Sequence, residues 1–360
     1  MPLAKHAATW CMSLGMPVAV VVWTFLWIGA RMPHFWPVAV LYAGFWALQW
    51  ALWTSPPALV TALLCAAFAT VRTCTQFTAA LPDLWPAFVT WGNLWGLAWS
   101  AFFFRSASGE GIMDWYCGLE LHPIVRGVDI KLFIVSRIGM VSWALAVLHA
   151  YLSWDTCPPV AVAVSSVLQL VYLFRFLTWE REYLQTMDQQ HDRAGFYICW
   201  GCLAYVPAMY WLSAIQASPE MYTGGFGTTA SWVMGAIGLI CIYAVSVIDE
   251  QKTRVRANKY AFVAGRPATW IRTRSGTLLL TCGGWGVARH FHYLFELGAA
   301  LAWTAPVAGW NVWGYAYVAY LFVLLVNRTY RDDARCLSKY GPEWEQYCKA
   351  VPYKILPGVF

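Results

Sequence analysis

Apolar residues fall along this chain in blocks of about twenty, the length of helix that crosses a hydrocarbon core near 30 Å thick. The blocks cover 8–30, 35–54, 57–80, 84–104, 131–153, 158–178, 195–217, 229–249, 278–304 and 306–327. Strands of a transmembrane barrel are shorter, about 9–11 residues, and alternate in polarity. The pattern therefore predicts an all-α, polytopic transmembrane helical bundle of about nine or ten helices, continuous enough to leave no room for a soluble domain. The 278–304 block is interrupted by Arg289, His290 and His292. The first seven residues form a short polar lead, and the block behind them is long enough to span, so no cleavable signal peptide is expected.

Three polar regions break the pattern: 105–131, 179–194 and 328–360. Within the second, 179–192 is read as one helix carrying Glu180, Glu182, Asp188, His191 and Asp192, with Asp188, His191 and Asp192 at helical spacing on one face. Ionisable groups at membrane depth mark functional sites, so Glu180, Asp188 and His191 become candidates for the wall of a substrate cavity; a solvated interfacial loop is the competing reading. The third region is an amphipathic helix broken at Gly341–Pro342. Polar Arg72 and residues 73–76 sit in an otherwise apolar block and suggest packing or capping alone.

Composition agrees with this picture. Of 360 residues, 60% are hydrophobic and 12% charged, half the roughly 25% of soluble domains. The net charge is +6, and the stretch Lys252, Arg254, Arg256, Lys259, Arg266, Arg272, Arg274 contains no acid. Such a run is a topological signal or a site for an anionic cofactor; confined to one loop between spans, it does not suit nucleic acid. Asp249, Lys252 and Arg256 form one helical stripe, and Asp332, Arg335, Cys336, Lys339 and Tyr340 form another. Two converging cationic faces could hold phosphates through charge-assisted bonds. No GxGxxG follows a strand, so a Rossmann site is not expected. Of eleven cysteines only Cys199 and Cys202 form a CxxC, with no second pair at zinc spacing, so no metal is expected.

Four ordered motifs stand out: GGWGVARHFHY at 283–293, RDDARCLSKYGPEWEQYCKAVPYKILPGVF at 331–360, GLELHPIVRGVDIKLFIVSRIGMVSW at 118–143 and EREYLQTMDQQHDRAGFY at 180–197. Together they resemble the sterol reductase family, which includes the Δ14, Δ7 and Δ24(28) reductases and the lamin B receptor. The resemblance covers about 105–360, which implies N-terminal transmembrane helices over 1–104 and a reductase core over 105–360. Within the family, ARHFHY resembles the 7-dehydrocholesterol reductases more than the RHPNY of the Δ14 branch. The chain departs from the family at His122 and His292 (asparagine), Ile138 (proline) and Cys202 (aspartate), and its first hundred residues are shorter.

What the resemblance implies is an NADPH pocket made by Lys252, Arg256, Leu280, Trp285, His292, Tyr293, Asp332, Cys336, Leu337, Ser338, Lys339, Tyr340 and Tyr347. It also implies a sterol substrate in the bilayer, protonated at one ring carbon by Tyr210, with Asp332 as relay, and given a hydride at the next. The C7=C8 bond of 7-dehydrocholesterol-type sterols is the expected target, with the Δ14 bond as alternative. The implied location is the endoplasmic reticulum membrane in a eukaryote, or the inner membrane in a bacterium. Two readings of other classes compete. Isoprenylcysteine-type methyltransferases that use S-adenosylmethionine share an RHPNY-like motif but lack the segments at 118–143 and 180–197. A non-catalytic sterol-binding protein is the other, kept open by positions 122, 138, 202 and 292.

Overall fold

The computed structural model describes residues 35–75, 79–107 and 110–360; the apolar block at 8–30 and residue 76 lie outside them. The chain is an all-α polytopic membrane protein. Helices α1 (Phe35–Ala51), α2 (Pro57–Thr75) and α3 (Leu81–Ser106) come first, then a short α4 (Ile112–Cys117) and a hairpin, β1 (Ile124–Val125) with β2 (Val128–Asp129). Helices α5 (Ile130–Leu152), α6 (Val160–Thr178), α9 (Phe196–Gln216) and α10 (Thr228–Ala257) are, among the described residues, the four long and apolar enough to cross a membrane. Between α6 and α9 lie two single turns, α7 (Glu180–Tyr183) and α8 (Met187–Gln190). Beyond α10 come two hairpins, β3 (Phe262–Val263) with β4 (Arg266–Pro267) and β5 (Trp270–Arg272) with β6 (Leu278–Leu280). The chain ends with α11 (Gly284–Val287), α12 (His292–Ala308), α13 (Ala316–Tyr340) and α14 (Pro342–Ala350).

The described residues divide into two compact units: one runs to Phe226 and includes Val307–Trp310, and the other comprises Gly227–Pro306 and Asn311–Phe360. The first is organised by α3 and α9. Gly92 and Gly96, one turn apart on α3, lie against the backbone of α9: a Cβ on Gly92 would stand 2.0 Å from the Leu203 carbonyl oxygen, and one on Gly96 2.8 Å from Trp200 Cα. Lipid-embedded helices gain little from hydrophobic association and rely on close backbone packing, which small residues four apart permit. Two indoles lock the same crossing. Trp200 Nε1 donates to Asn93 Oδ1 at 2.7 Å, and Trp85 Nε1 donates to the Pro207 carbonyl at 2.7 Å. Both α5 and α9 carry a π-helical stretch, Phe133–Met140 and Gly201–Tyr210, a device that re-aims side chains within a span. Beside them an aromatic core assembles: Trp46 stacks on Trp95 and Trp99 and meets Phe133 edge-on.

Arg72 takes a capping role. Its Nε donates to the Leu152 carbonyl at 3.1 Å and its Nη2 to Ser153 Oγ at 3.1 Å, closing the C-terminus of α5.

Three expectations are corrected. The polar stretch 179–192 is not one helix: α8 stops at Gln190, leaving Asp188 and Asp192 buried and His191 exposed. The break has a cause in Lys131, which is fully buried and donates to the main-chain carbonyls of Gln189 and Asp192. The block 278–304 is not one span, since residues 278–280 pair as a strand, 284–287 form a single turn, and the helix begins at His292. The block 306–327 is divided as well: α12 ends at Ala308, Gly309 turns with φ +54°, and α13 then runs unbroken from Ala316 through the polar tail to Tyr340.

Replacing Gly92 by alanine is expected to lower the melting temperature in detergent, because overpacking a close contact costs about 1–3 kcal/mol. Gly44→Ala, at a position where a Cβ meets nothing within 4 Å, is the control and should match wild type. Equal melting of the two variants would dismiss the close crossing as the organising contact of this unit.

Candidate functional site

The second unit gathers most of the residues expected to hold a cofactor. The sequence GGWG makes this possible. Gly283 has φ +61°, and a Cβ there would lie 2.3 Å from Gln251 Oε1; one on Gly284 would lie 2.7 Å from the Ile248 side chain. Two glycines thus let the turn press against α10. Trp285, buried as a result, donates from Nε1 to the Ile248 carbonyl at 2.7 Å, and its own carbonyl accepts from Tyr347 Oη at 3.1 Å. Gln251 Oε1 accepts from the Gly284 amide at 2.9 Å. Leu280 packs in the same buried cluster.

Around this indole the other candidates converge. Lys252 Nζ lies 4.4 Å from the Trp285 ring centroid, a cation–π contact. The His292 ring sits 5.0 Å from Trp285 and 4.4 Å from Tyr293. One turn beyond Lys252 is Arg256, whose electrostatic neighbours are Tyr340, Cys336, Arg335 and Asp332. On α13, Asp332 is paired with Arg335, and Cys336 Sγ lies 3.8 Å from Asp332 Oδ2. Burial, helped by Asp332, pushes the Cys336 thiol up to about 12, so it stays protonated and acts as packing. Tyr347 joins Cys336 and half-buried Tyr340 in a second cluster, and burial raises its phenol above the ordinary range. Leu337, Ser338 and Lys339 are exposed.

Four residues that the sequence did not single out for a role here build the frame. Arg289 is buried; its Nη1 donates to the carbonyls of Val351 and Pro352 at 2.8 and 3.0 Å, and its Nε lies 3.3 Å from Asp333 Oδ1. Lys354 approaches Asp333 at 3.2 Å, and the amides of Arg289 and His290 donate to the carbonyls of Tyr353 and Lys354. The C-terminal strand of chain is thereby fastened across the entry to α12. His290 is buried against this frame, stacked on Tyr293 at 5.0 Å, and burial lowers it to about 4 although Asp332 and Asp333 pull the other way. Its neutral ring leaves Nε2 3.7 Å from Asp332 Oδ2, too long for a hydrogen bond, and with no hydrogen-bond partner among the described residues. The signal for this pair was the ARH triplet itself; the carbonyls Arg289 reaches are 62 and 63 residues away and carry no side-chain signature.

The remaining candidates lie in the first unit. Tyr210 ends the π stretch of α9, half-buried, edge-on to Trp143 with centroids 5.4 Å apart. Trp143 is fixed in turn by its Nε1, which donates to Gln169 Oε1 at 2.9 Å. Glu180 accepts from Ser136 Oγ and lies 3.9 Å from Arg137 Nη2. Asp188 is buried beside the turn that Lys131 holds, and the His191 side chain is exposed. His122, one of the departures, pairs its Nδ1 with Asp129 Oδ2 at 2.8 Å, so its ring serves the start of α5.

With this geometry in view, comparison with known proteins is decisive on family. The model of the ergosterol biosynthesis ERG4/ERG24 family matches residues 96–360. The chain belongs to that family. A 7-dehydrocholesterol reductase of Arabidopsis thaliana is 43% identical over 269 residues, covering 70% of this chain and 61% of the relative. Delta(14)-sterol reductases of Mus musculus and of Methylotuvimicrobium alcaliphilum are 36% and 34% identical over 258 and 259 residues, each covering 70% of this chain and 60% of the relative. The chain thus spans about three fifths of the length of the curated relatives it matches.

The neutral state of His290 sets a pH dependence. Its folded value lies below the unfolded one, near 6.5, so the unfolded chain binds the extra proton between those two values. Its contribution is intact above about pH 6.5 and is lost as pH falls toward 4, at up to about 1.4 kcal/mol per pH unit. Melting temperatures measured from pH 7.5 to 4.5 should fall, and less steeply in His290→Gln; identical slopes would count against a neutral buried ring.

Proposed function

We propose that this chain is an NADPH-dependent reductase of a sterol ring double bond, placed in the endoplasmic reticulum membrane of a eukaryote or the inner membrane of a bacterium. The single observation that carries the reading is the Trp285 assembly within a family of sterol reductases: a buried indole faced by Lys252, with His292, Tyr293 and Arg256 around it. Its donor set fits a phosphate-bearing dinucleotide. Lys252 and Arg256 bring two cations at one-turn spacing to the end of α10, aromatic faces stand ready for a flat ring, and the orphaned His290 Nε2 offers a buried polar atom beside them. When bound, the cofactor supplies a hydride from its nicotinamide ring. Trp285 and Lys252 orient and hold it, and Leu280 and Tyr347 keep water from that end.

An isolated alkene accepts hydride poorly, so a proton must reach one ring carbon first. Tyr210 is the proposed donor. Trp143, itself held by Gln169, fixes the tyrosine ring, so the phenol can hand its proton to the alkene as a general acid. Asp332, paired with Arg335 in the second unit, keeps the role of relay on the family resemblance alone. Glu180 and Asp188 are proposed as polar parts of the cavity wall; exposed His191 has the weakest claim. The C7=C8 bond is the first choice of target, supported by the ARHFHY motif and by the 43% relative. The C14 bond is the second reading, supported by the Delta(14)-sterol reductases among the relatives.

Detergent-purified protein given NADPH and 7-dehydrocholesterol should yield cholesterol by mass-resolved chromatography, with a Δ8,14-diene sterol as the rival substrate. Product from the rival alone moves the chain to the Δ14 branch; product from neither, with sterol bound and NADPH unoxidised, supports a binding protein instead. Tyr210→Phe should retain cofactor binding and lose at least about 100-fold in turnover, the lower range for a general acid. Near-normal turnover would remove Tyr210 from the mechanism.

A further inference from the structure

A cavity of about 190 Å³ opens between the turn joining β5 to β6 and the junction of α13 with α14, lined by Thr273, Arg274, Ser275, Lys339, Tyr340, Gly341, Pro342 and Glu343. It is smaller than the roughly 300–1,000 Å³ of whole-ligand sites, so it suits one polar moiety and not a sterol. Its lining is rich in donors. Arg274 and Lys339 bring two cations, and Thr273 and Ser275 share a hydroxyl pair at 2.9 Å. The one carboxylate, Glu343, is paired with Arg274 Nε at 3.1 Å. Arg274 is otherwise 85% exposed, against 17% for Glu343, so the guanidinium can turn to another anion while Glu343 stays.

The cavity also continues the candidate cofactor site within the same unit. Tyr340 is an electrostatic neighbour of Arg256 and a wall of the cavity. Trp285, Lys252, Arg256 and Tyr340 thus form a connected run from the aromatic end to this cavity. Resting on the dinucleotide reading above, we infer that the cavity receives the phosphorylated adenosine ribose, with Arg274, Lys339 and Ser275 on the 2′-phosphate. A carboxylate beside a ribose favours a free 2′-hydroxyl, and an arginine favours the 2′-phosphate; here both are present, and the Arg274–Glu343 pair is the element that sets the choice between NADPH and NADH. Lys252 and Arg256 are then left to the pyrophosphate, where they serve both dinucleotides alike.

The test is a titration of the full chain in detergent with NADPH and with NADH, followed by tryptophan fluorescence. Arg274→Ala should weaken NADPH about 10-fold, the loss of one charge-assisted bond, and leave NADH within about twofold. Unchanged NADH also shows that the variant is folded. Glu343→Gln releases Arg274 and should tighten NADPH a few-fold without improving NADH, whereas Lys252→Ala should weaken both dinucleotides to the same degree. If wild type prefers NADPH and Arg274→Ala leaves that preference intact, or weakens both cofactors equally, the inference is wrong and the cofactor reading survives. Wild type that binds neither dinucleotide overturns the cofactor reading and this inference with it.

Discussion

The second unit depends on one buried indole. Trp285 spends its only hydrogen-bond donor on the Ile248 carbonyl of α10, its carbonyl takes the phenol of Tyr347 from α14, and its face carries Lys252. An indole has a single N–H and a large apolar body, so a position that satisfies the first while burying the second is specified closely. Three separate pieces of chain meet at that side chain: the end of a candidate span, a glycine turn and the last helix. The glycines at 283 and 284 follow from this constraint, because any side chain there would hold the turn away from Gln251 and Ile248.

The first unit solves a different problem with similar chemistry. Its spans have no apolar-against-water incentive to associate, so contact is made by removing side chains at Gly92 and Gly96 and by donating indole N–H groups to partners on the facing helix. In the π-helical stretches of α5 and α9 the main-chain bonds shift to a five-residue spacing, and Trp85 donates to the Pro207 carbonyl within one of them. The high tryptophan content, 24 residues, thus has a structural use beyond anchoring at the membrane interface.

Two buried charges, one in each unit, follow a common pattern: main-chain carbonyls receive them, joined in one case by an opposite charge. Lys131 is met by the carbonyls of Gln189 and Asp192, Arg289 by those of Val351 and Pro352 together with Asp333. In each case the charged residue shapes the loop that satisfies it. Lys131 ends α8, and Arg289 fastens the C-terminal segment beside the candidate cofactor residues.

Much of this was legible in the sequence, because blocks of twenty apolar residues leave a membrane-embedded chain little choice but helix. The spans 131–153, 158–178 and 195–217 reappear as Ile130–Leu152, Val160–Thr178 and Phe196–Gln216, the span 229–249 begins at Thr228 but runs on to Ala257, and the break at Gly341–Pro342 stands where glycine and proline require it. The stripe of Lys252 and Arg256 on a helix was legible for the same reason. What only the tertiary structure decided are the features made by main-chain partners distant in sequence. The carbonyls that stop α8 at Gln190, the strand pairing that removes 278–280 from a span, and the fastening of 351–354 by Arg289 and His290 belong to backbone atoms, which every residue carries, so no residue type announces them.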